Sequence, residues 1–215
     1  MTTSHPITAQ LDVLLSLGLA ELSGRDATWL RAAARDAVAA AGPATPGGVL
    51  AVHPDLVPAS RLTPLLQRAG RPGFVVVDMT DLDEFVAVPG VDVPDRALYL
   101  VTDVDRGDDL RNRSPEEAEP VLAERGRTPL TVNEGISWLL QEPDRLAPDH
   151  CFMCIGSRKP KTPTTKGYDA RTPAIWISNG TGRDGRERKD APKVGWCWWR
   201  NRHTWLGFAS ATGRV

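Results

Sequence analysis

The chain has 215 residues, with 26 Lys/Arg, 27 Asp/Glu and a formal net charge of −1, and 41% of the residues are hydrophobic. A chain of this length can bury roughly 70% of its unfolded surface, so it needs no disulfides to fold. No stretch approaches the roughly 18 apolar residues of a membrane span. The N-terminal region lacks the basic start and cleavage site of a signal peptide, so we expect a cytoplasmic protein without a membrane segment.

The two parts of the sequence have opposite charge. Residues 151–215 contain thirteen Lys/Arg and four Asp/Glu, whereas residues 1–150 contain thirteen and twenty-three. Clustered cations attached to an acidic domain are typical of a nucleic-acid-binding module, because phosphate neutralisation requires them. The alternative is that the two parts dock on each other and leave little external field, and the charge pattern alone slightly favours it.

The chain opens with helical patterns. Leucines at helical spacing in "ITAQLDVLLSLGLAEL" predict a first helix, although Gly18 weakens it, and the Ala-rich "RDATWLRAAARDAVAAAG" predicts a second that ends at Gly42. The breaker-rich "GPATPGG" then indicates a linker.

An α/β pattern follows the linker. The β-branched runs "VLAVHP" and "GFVVVDM" flank the helical pattern "ASRLTPLLQRAG", which predicts one strand-helix-strand unit, and "ALYLVTDV" predicts a third strand. Two capping boxes, Ser114 with Glu117 and Thr131 with Glu134, predict the starts of two later helices. We expect these helices to begin at or just after Ser114 and Thr131, with Trp138 buried beneath the second.

The amino-acid composition changes near residue 150, after which basic, Pro/Gly-rich segments separate short apolar runs. We expect four short strands, in "CFMCI", "PAIWIS", "VGWCWW" and "TWLGF". The predicted fold class is therefore α+β: N-terminal helices, a small α/β sheet and a basic, Trp-rich antiparallel β region. The corresponding segments are 1–46, 47–149 and 150–215.

Three cysteines and a histidine suggest a metal site. An odd number of cysteines in a chain without an export signal indicates reduced thiols or metal ligands. A C-x-x-C pair together with a downstream cysteine and histidine could form a tetrahedral zinc site that staples the C-terminal sheet, with the ligands Cys151, Cys154, Cys197 and His203. The alternative is that the cysteines are ordinary buried strand residues.

The segment "VGWCWWRNRHTWLGF", residues 194–208, holds four tryptophans. It predicts two antiparallel strands joined by a turn at Arg200–Arg202, with most tryptophans packed inward. Any exposed ring among the arginines would suit stacking on unpaired bases. We expect the turn and the preceding loop to form one cationic surface for nucleic acid, made of Arg183, Arg186, Arg188, Lys189, Lys193, Arg200 and Arg202.

An acidic cluster supports an enzyme as the alternative. Asp103 and Asp105 follow a predicted strand, where α/β folds often place their sites. An enzyme would use either carboxylate with His203 or Cys197 in a cleft between the two parts. A solvated acidic loop is the simpler interpretation.

Whole phrases of the sequence carry a family resemblance. They are "YLVTDVDRGDDLRNRSPEEA", "RGRTPLTVNEGI", "PAIWIS", "GWCWW" and "HTWLGFASA". From about Val49 onward the chain resembles an uncharacterised actinobacterial family, domain of unknown function 5701. The resemblance implies a bacterial cytoplasmic protein and carries over no activity, cofactor or catalytic residue.

The leading functional hypothesis is a non-enzymatic nucleic-acid-binding module with zinc as a candidate staple. The enzyme is the second hypothesis. The third is an adaptor in which the tryptophans contact a partner protein.

Overall fold

The computed structural model describes residues 6–42 and 48–215 and has an α+β fold. Residues 43–47, which hold most of the predicted linker, lie outside the described residues. The first predicted helix forms two helices, because Gly18 adopts φ 95° in the left-handed region that favours glycine. The opening helices are α1 (Ile7–Ser16), α2 (Leu19–Ser23) and α3 (Ala27–Ala41).

The rest of the chain alternates short helices with short strands. The helices are α4 (Ala59–Leu62), α5 (Pro115–Glu124) and α6 (Val132–Gln141). The strands are β1 (Gly48–Val52), β2 (Gln67–Arg68), β3 (Arg71–Pro72), β4 (Phe74–Val75), β5 (Val86–Ala87), β6 (Leu98–Thr102), β7 (Thr128–Pro129), β8 (Cys151–Met153), β9 (Ser157–Arg158), β10 (Arg171–Ile177), β11 (Pro192–Trp198), β12 (Leu206–Phe208), β13 (Ser210–Ala211) and β14 (Gly213–Arg214). Among the described helices, none is long and apolar enough to cross a bilayer.

Two main sheets enclose α6. The first is antiparallel, in the order β1-β6-β14, and α1 and α3 pack against it. The second has the order β12-β8-β10-β11-β4, with parallel pairs at both ends. Helix α6 contacts β1 of the first sheet and β10 of the second, and its residues Val132 to Leu140 are all buried. The C-terminal β14 joins the first sheet, so the segments 47–149 and 150–215 share both sheets.

The outer edge of β1 is hydrogen-bonded to side chains. Gln10 of α1 donates to Gly48 O and accepts from Leu50 N, both at 2.8 Å. Asn133 and Gln141 of α6 donate to Val52 O and Leu50 O, and Ser137 accepts from Val52 N. These bonds satisfy the backbone groups of a buried strand that has no strand neighbour on that side within the described structure.

A glycine allows α6 to approach the second sheet. A Cβ atom on Gly135 would lie 2.5 Å from Cys154 Sγ, which is closer than real contacts allow. The ring centroids of Trp138 and Phe152 are 5.4 Å apart across the same interface. This packing fixes α6 in the centre of the molecule.

Both capping-box predictions are confirmed. Helix α5 starts at Pro115 and α6 at Val132, and both reciprocal capping pairs form. Trp138 is 3% exposed, as predicted. The four C-terminal strands also form, as β8, β10, β11 and β12.

The predicted strand-helix-strand unit is wrong. Strand β1 pairs antiparallel with β6, and the intervening "GFVVVDM" contributes only β4, which joins the other sheet. The predicted helix stops after one turn at Leu62, and residues 63–65 form a 3₁₀ turn that contains Pro64. Proline lacks the N–H that continues an α-helix and therefore ends it here.

The predicted C-terminal hairpin is also wrong. Strand β12 pairs parallel with β8, and two strands, β8 and β10, separate it from β11. The connection between β11 and β12 contacts α5, through Arg200 with Glu116 and Arg202 with Glu117. Trp198 is 46% exposed, and Trp196, Trp199 and Trp205 are partly buried against the core.

Candidate functional site

The two arginines at the predicted turn are ion-paired with the acidic first turn of α5. Arg200 Nη2 lies 3.1 Å from Glu116 Oε1, and Arg202 donates to Glu117. The Arg202 guanidinium lowers the pKa of Glu117 to about 2. The acidic and basic parts of the chain therefore dock on each other at this point.

The other predicted phosphate-binding residues lie at the opposite end of β11. Strand β11 has seven residues and therefore spans about 20 Å. Lys193 Nζ is 2.7 Å from Asp184, and Arg183 is 3.1 Å from Asp78. Arg188 lies over the Phe74 ring, and Arg186 and Lys189 belong to the same loop. The structure divides the seven cations into two separate groups, and four of them already have carboxylate partners.

The four predicted zinc ligands are not brought together. Cys154 faces α6, whereas strand alternation and the β10–β11 register place Cys197 on the opposite face of the sheet. Cys151 is three residues from Cys154 on an extended chain and so also faces away from it. His203 packs edge-on against Trp205. Among residues 6–42 and 48–215, no three His, Cys, Asp or Glu side chains form a group that could hold a metal ion.

The cysteines have the properties of core residues. All three are buried free thiols. Burial raises the pKa of Cys151 to about 11 and that of Cys197 to about 12, and it raises the pKa of Cys154 further. A reactive cysteine requires a lowered pKa, so this arrangement does not favour a nucleophile.

The acidic cluster is internally paired. Asp103 binds Arg127 at 2.8 Å, and Asp105 accepts from Gly107 N at 2.6 Å. The adjoining polar cavity is lined by Asp105 but not by Asp103, His203 or Cys197. The structure does not bring the residues of the enzyme hypothesis into one cleft.

A different residue, Arg158, is buried without an acidic partner. It lies on β9, is 7% exposed and has no carboxylate within 4.0 Å among the described residues. Its Nη2 donates to Asp169 O at 2.7 Å, and its Nε has no hydrogen-bond partner in the described structure. Buried arginines are almost always paired with a carboxylate, and among the described residues Arg158 departs from that pattern.

Two aromatic rings hold the guanidinium of Arg158. Its Cζ lies 3.9 Å from the ring centroid of Trp199 and 5.3 Å from that of Tyr168. These cation–π contacts replace part of the lost hydration. Burial nevertheless lowers the pKa of Arg158, with Glu119 acting in the opposite direction.

Arg158 lines a cleft with a volume of about 380 Å³, called here the Arg158 cleft. The rim includes the exposed side chain of Glu119, which is too far from Arg158 for an ion pair. The cleft is lined by Val88, Pro89, Glu119, Arg158, Tyr168 and Trp199. It therefore combines one buried cation, apolar and aromatic walls, and one carboxylate.

Sequence reasoning missed this site. In "IGSRKP" an arginine beside a lysine is typical of a solvated surface, and its burial depends on rings ten and forty-one positions later in the chain. The one sequence feature near it is the tryptophan segment, whose Trp199 lines the cleft.

Comparison with known proteins identifies the family of the chain and nothing about its activity. Searches of curated proteins and of solved structures gave no match. A model of a family of unknown function, DUF5701, matches residues 13–215. That match covers nearly the whole chain, and the protein therefore belongs to the DUF5701 family.

Proposed function

We propose that the protein binds a small organic carboxylate in the Arg158 cleft. The observation that supports this is an arginine residue that is 7% exposed, has no ion-pair partner among the described residues and lines an open cleft. A carboxylate would supply the missing charge through a charge-assisted hydrogen bond. Its apolar part would contact Trp199 and Tyr168.

The charge of the cleft favours a singly charged ligand. One arginine and one glutamate line it, so a phosphate dianion would be repelled by Glu119 more strongly than a monocarboxylate. A ligand that also carries an amine could donate to Glu119. An aromatic amino-carboxylate is therefore the preferred class.

The nucleic-acid hypothesis has less support from the contacts. Arg183, Lys193, Arg200 and Arg202 have carboxylate partners, and phosphate binding would have to break those pairs. A cleft lined by a single arginine suits one small anion better than a polymer of phosphates.

The test is a binding titration with 2-aminobenzoate, benzoate and inorganic phosphate, followed through the indole N–H resonance of Trp199. We expect 2-aminobenzoate to bind most tightly, and Arg158→Gln to weaken it at least about tenfold, because a charged hydrogen bond contributes about 1.5–3 kcal/mol. Arg183→Gln removes a cation that is 75% exposed in the side chain and should leave affinity unchanged.

Two further variants separate binding from folding. Arg158→Lys keeps the charge but loses the planar stacking, so it should retain the fold and bind with intermediate affinity. Glu119→Gln should weaken 2-aminobenzoate and strengthen benzoate. Equal affinity of wild type and Arg158→Gln for all three compounds would show that Arg158 serves only to anchor the loop that carries Tyr168.

A further inference from the structure

A second, more enclosed cavity lies on the other side of the β5–β9 pair. It has a volume of about 250 Å³ and is lined by residues at the end of β1, in the segment 82–87 and at the start of α6. Val86, Ala87 and Ser157 line this cavity, whereas Val88 and Arg158 line the Arg158 cleft. The two sites therefore share a wall but no lining residue.

The walls of this cavity are mainly apolar. Leu82, Phe85 and Val132 supply hydrocarbon surface, together with Val93 and Ala59. Enclosed apolar cavities with a few converging polar groups are the usual form of small-molecule sites. The polar groups present then decide which ligands fit.

The first polar group is Asn133, which is 4% exposed. Its Nδ2 donates to Val52 O at 3.2 Å and to Val57 O at 3.0 Å, and these two carbonyls fix the orientation of the amide. Its Oδ1 is an acceptor that receives no hydrogen bond from any described residue. A ligand N–H or O–H would satisfy it.

The second polar group is His53, directly after β1. Its Nδ1 accepts from Asp55 N at 3.1 Å, so the proton of the neutral ring is on Nε2. Within the described parts of the chain, Nε2 has no hydrogen-bond partner. The cavity thus offers an acceptor from Asn133 and a donor from His53, besides the carboxylates of Asp55 and Asp83 and the hydroxyls of Thr131 and Ser157 on its lining.

The charges around the cavity disfavour anions. Asp55 and Asp83 line it, and among the described residues no lysine or arginine does. Asp83 is held by Ser60, which donates to both of its carboxylate oxygens. A carboxylate would be repelled here, so this cavity and the Arg158 cleft select different ligands.

We infer that this cavity is a second binding site, for a small uncharged aromatic or aliphatic ring molecule with an N–H or O–H donor. The donor binds Asn133 Oδ1, and the ring packs against Leu82 and Phe85. The inference rests on the buried amide and on the cavity, and it does not depend on the carboxylate site.

The experiment compares indole with benzothiophene, which has a similar shape but no donor, by ligand titration in NMR spectra of the full chain. We expect indole to shift resonances of Asn133 and His53. Benzothiophene should bind at least about fivefold more weakly, because it covers Asn133 Oδ1 without donating a hydrogen bond to it.

Variants locate the site. Ala87→Leu extends an exposed rim residue into the cavity and should reduce indole affinity at least about tenfold, whereas Val77→Leu, at an exposed position outside the cavity, should not. Arg158→Gln should also leave indole binding unchanged. Thermal unfolding of each variant checks that it folds.

Three results would overturn the inference: no binding of indole to the folded protein, equal affinity for indole and benzothiophene, or full indole affinity in Ala87→Leu. If Arg158→Gln abolished indole binding, the two cavities would be one site and the inference of a second site would fail.

Discussion

At the residue scale, the two buried arginines Arg214 and Arg158 differ in the groups that contact their charge. Arg214 is almost fully buried and makes two bonds to Glu134, at 2.6 and 2.9 Å. Glu134 also accepts from Tyr99 and from Thr131 N, so its charge is fully partnered. Arg158 has aromatic rings and one carbonyl in place of a carboxylate. We attribute the first arrangement to stability and the second to ligand binding.

Arg214→Met should strongly destabilise the protein. It leaves Glu134 buried without its cation, which costs about 3–5 kcal/mol in the free energy of unfolding. Urea denaturation would measure this. Arg31→Met removes an exposed ion pair with Asp12 and should cost less than about 1 kcal/mol. Similar losses in the two variants would contradict this account of the buried pair.

At the scale of elements, the capping boxes correctly predicted where two helices start. Which strands pair with each other could not be predicted from the sequence. The capping boxes at Ser114 and Thr131 succeed because every interacting group lies within four residues. The parallel pairing of β12 with β8 joins residues that are fifty-five positions apart in the chain. The site at Arg158 escaped prediction for the same reason, since its burial is set by Tyr168 and Trp199.

Helix α6 provides an element-scale prediction at Gly135. Alanine should raise helix propensity by about 1 kcal/mol, yet its Cβ would overlap Cys154 Sγ. We therefore expect Gly135→Ala to destabilise the protein by roughly 1–3 kcal/mol in chemical denaturation. Cys154→Ala removes the sulfur, so the double variant should be more stable than the sum of the single effects by at least about 0.5 kcal/mol. Strict additivity would mean that the close approach of α6 is not the cause.

At the scale of the whole molecule, the opposite charges of the two parts meet at a surface contact between them. The basic connection between β11 and β12 contacts the acidic start of α5, through Arg200 with Glu116 and Arg202 with Glu117. The sequence showed the charge asymmetry and allowed both docking and nucleic-acid binding. Only the fold shows which carboxylates these arginines contact.

The double variant Arg200→Ala/Arg202→Ala distinguishes the two interpretations. If these arginines serve the internal contact, the variant should show the same DNA and RNA affinity as wild type at low ionic strength, with an unchanged salt dependence. Fluorescence anisotropy across a salt series would measure both. A slope reduced by roughly one unit for each lost phosphate contact would instead restore the nucleic-acid hypothesis.

The side chains along the edge of β1 also bear on how copies of the protein meet. "GVLAV" is an uncharged, β-prone segment, the kind that recruits identical strands when its edge is open. Gln10 belongs to α1, so release of that N-terminal helix would uncover Gly48 O and Leu50 N together with the apolar residues beneath. Helix α1 thus covers the Gly48 end of this edge, beside the α6 side chains that cover the rest, and we expect deletion of residues 1–16 to increase strand-to-strand aggregation.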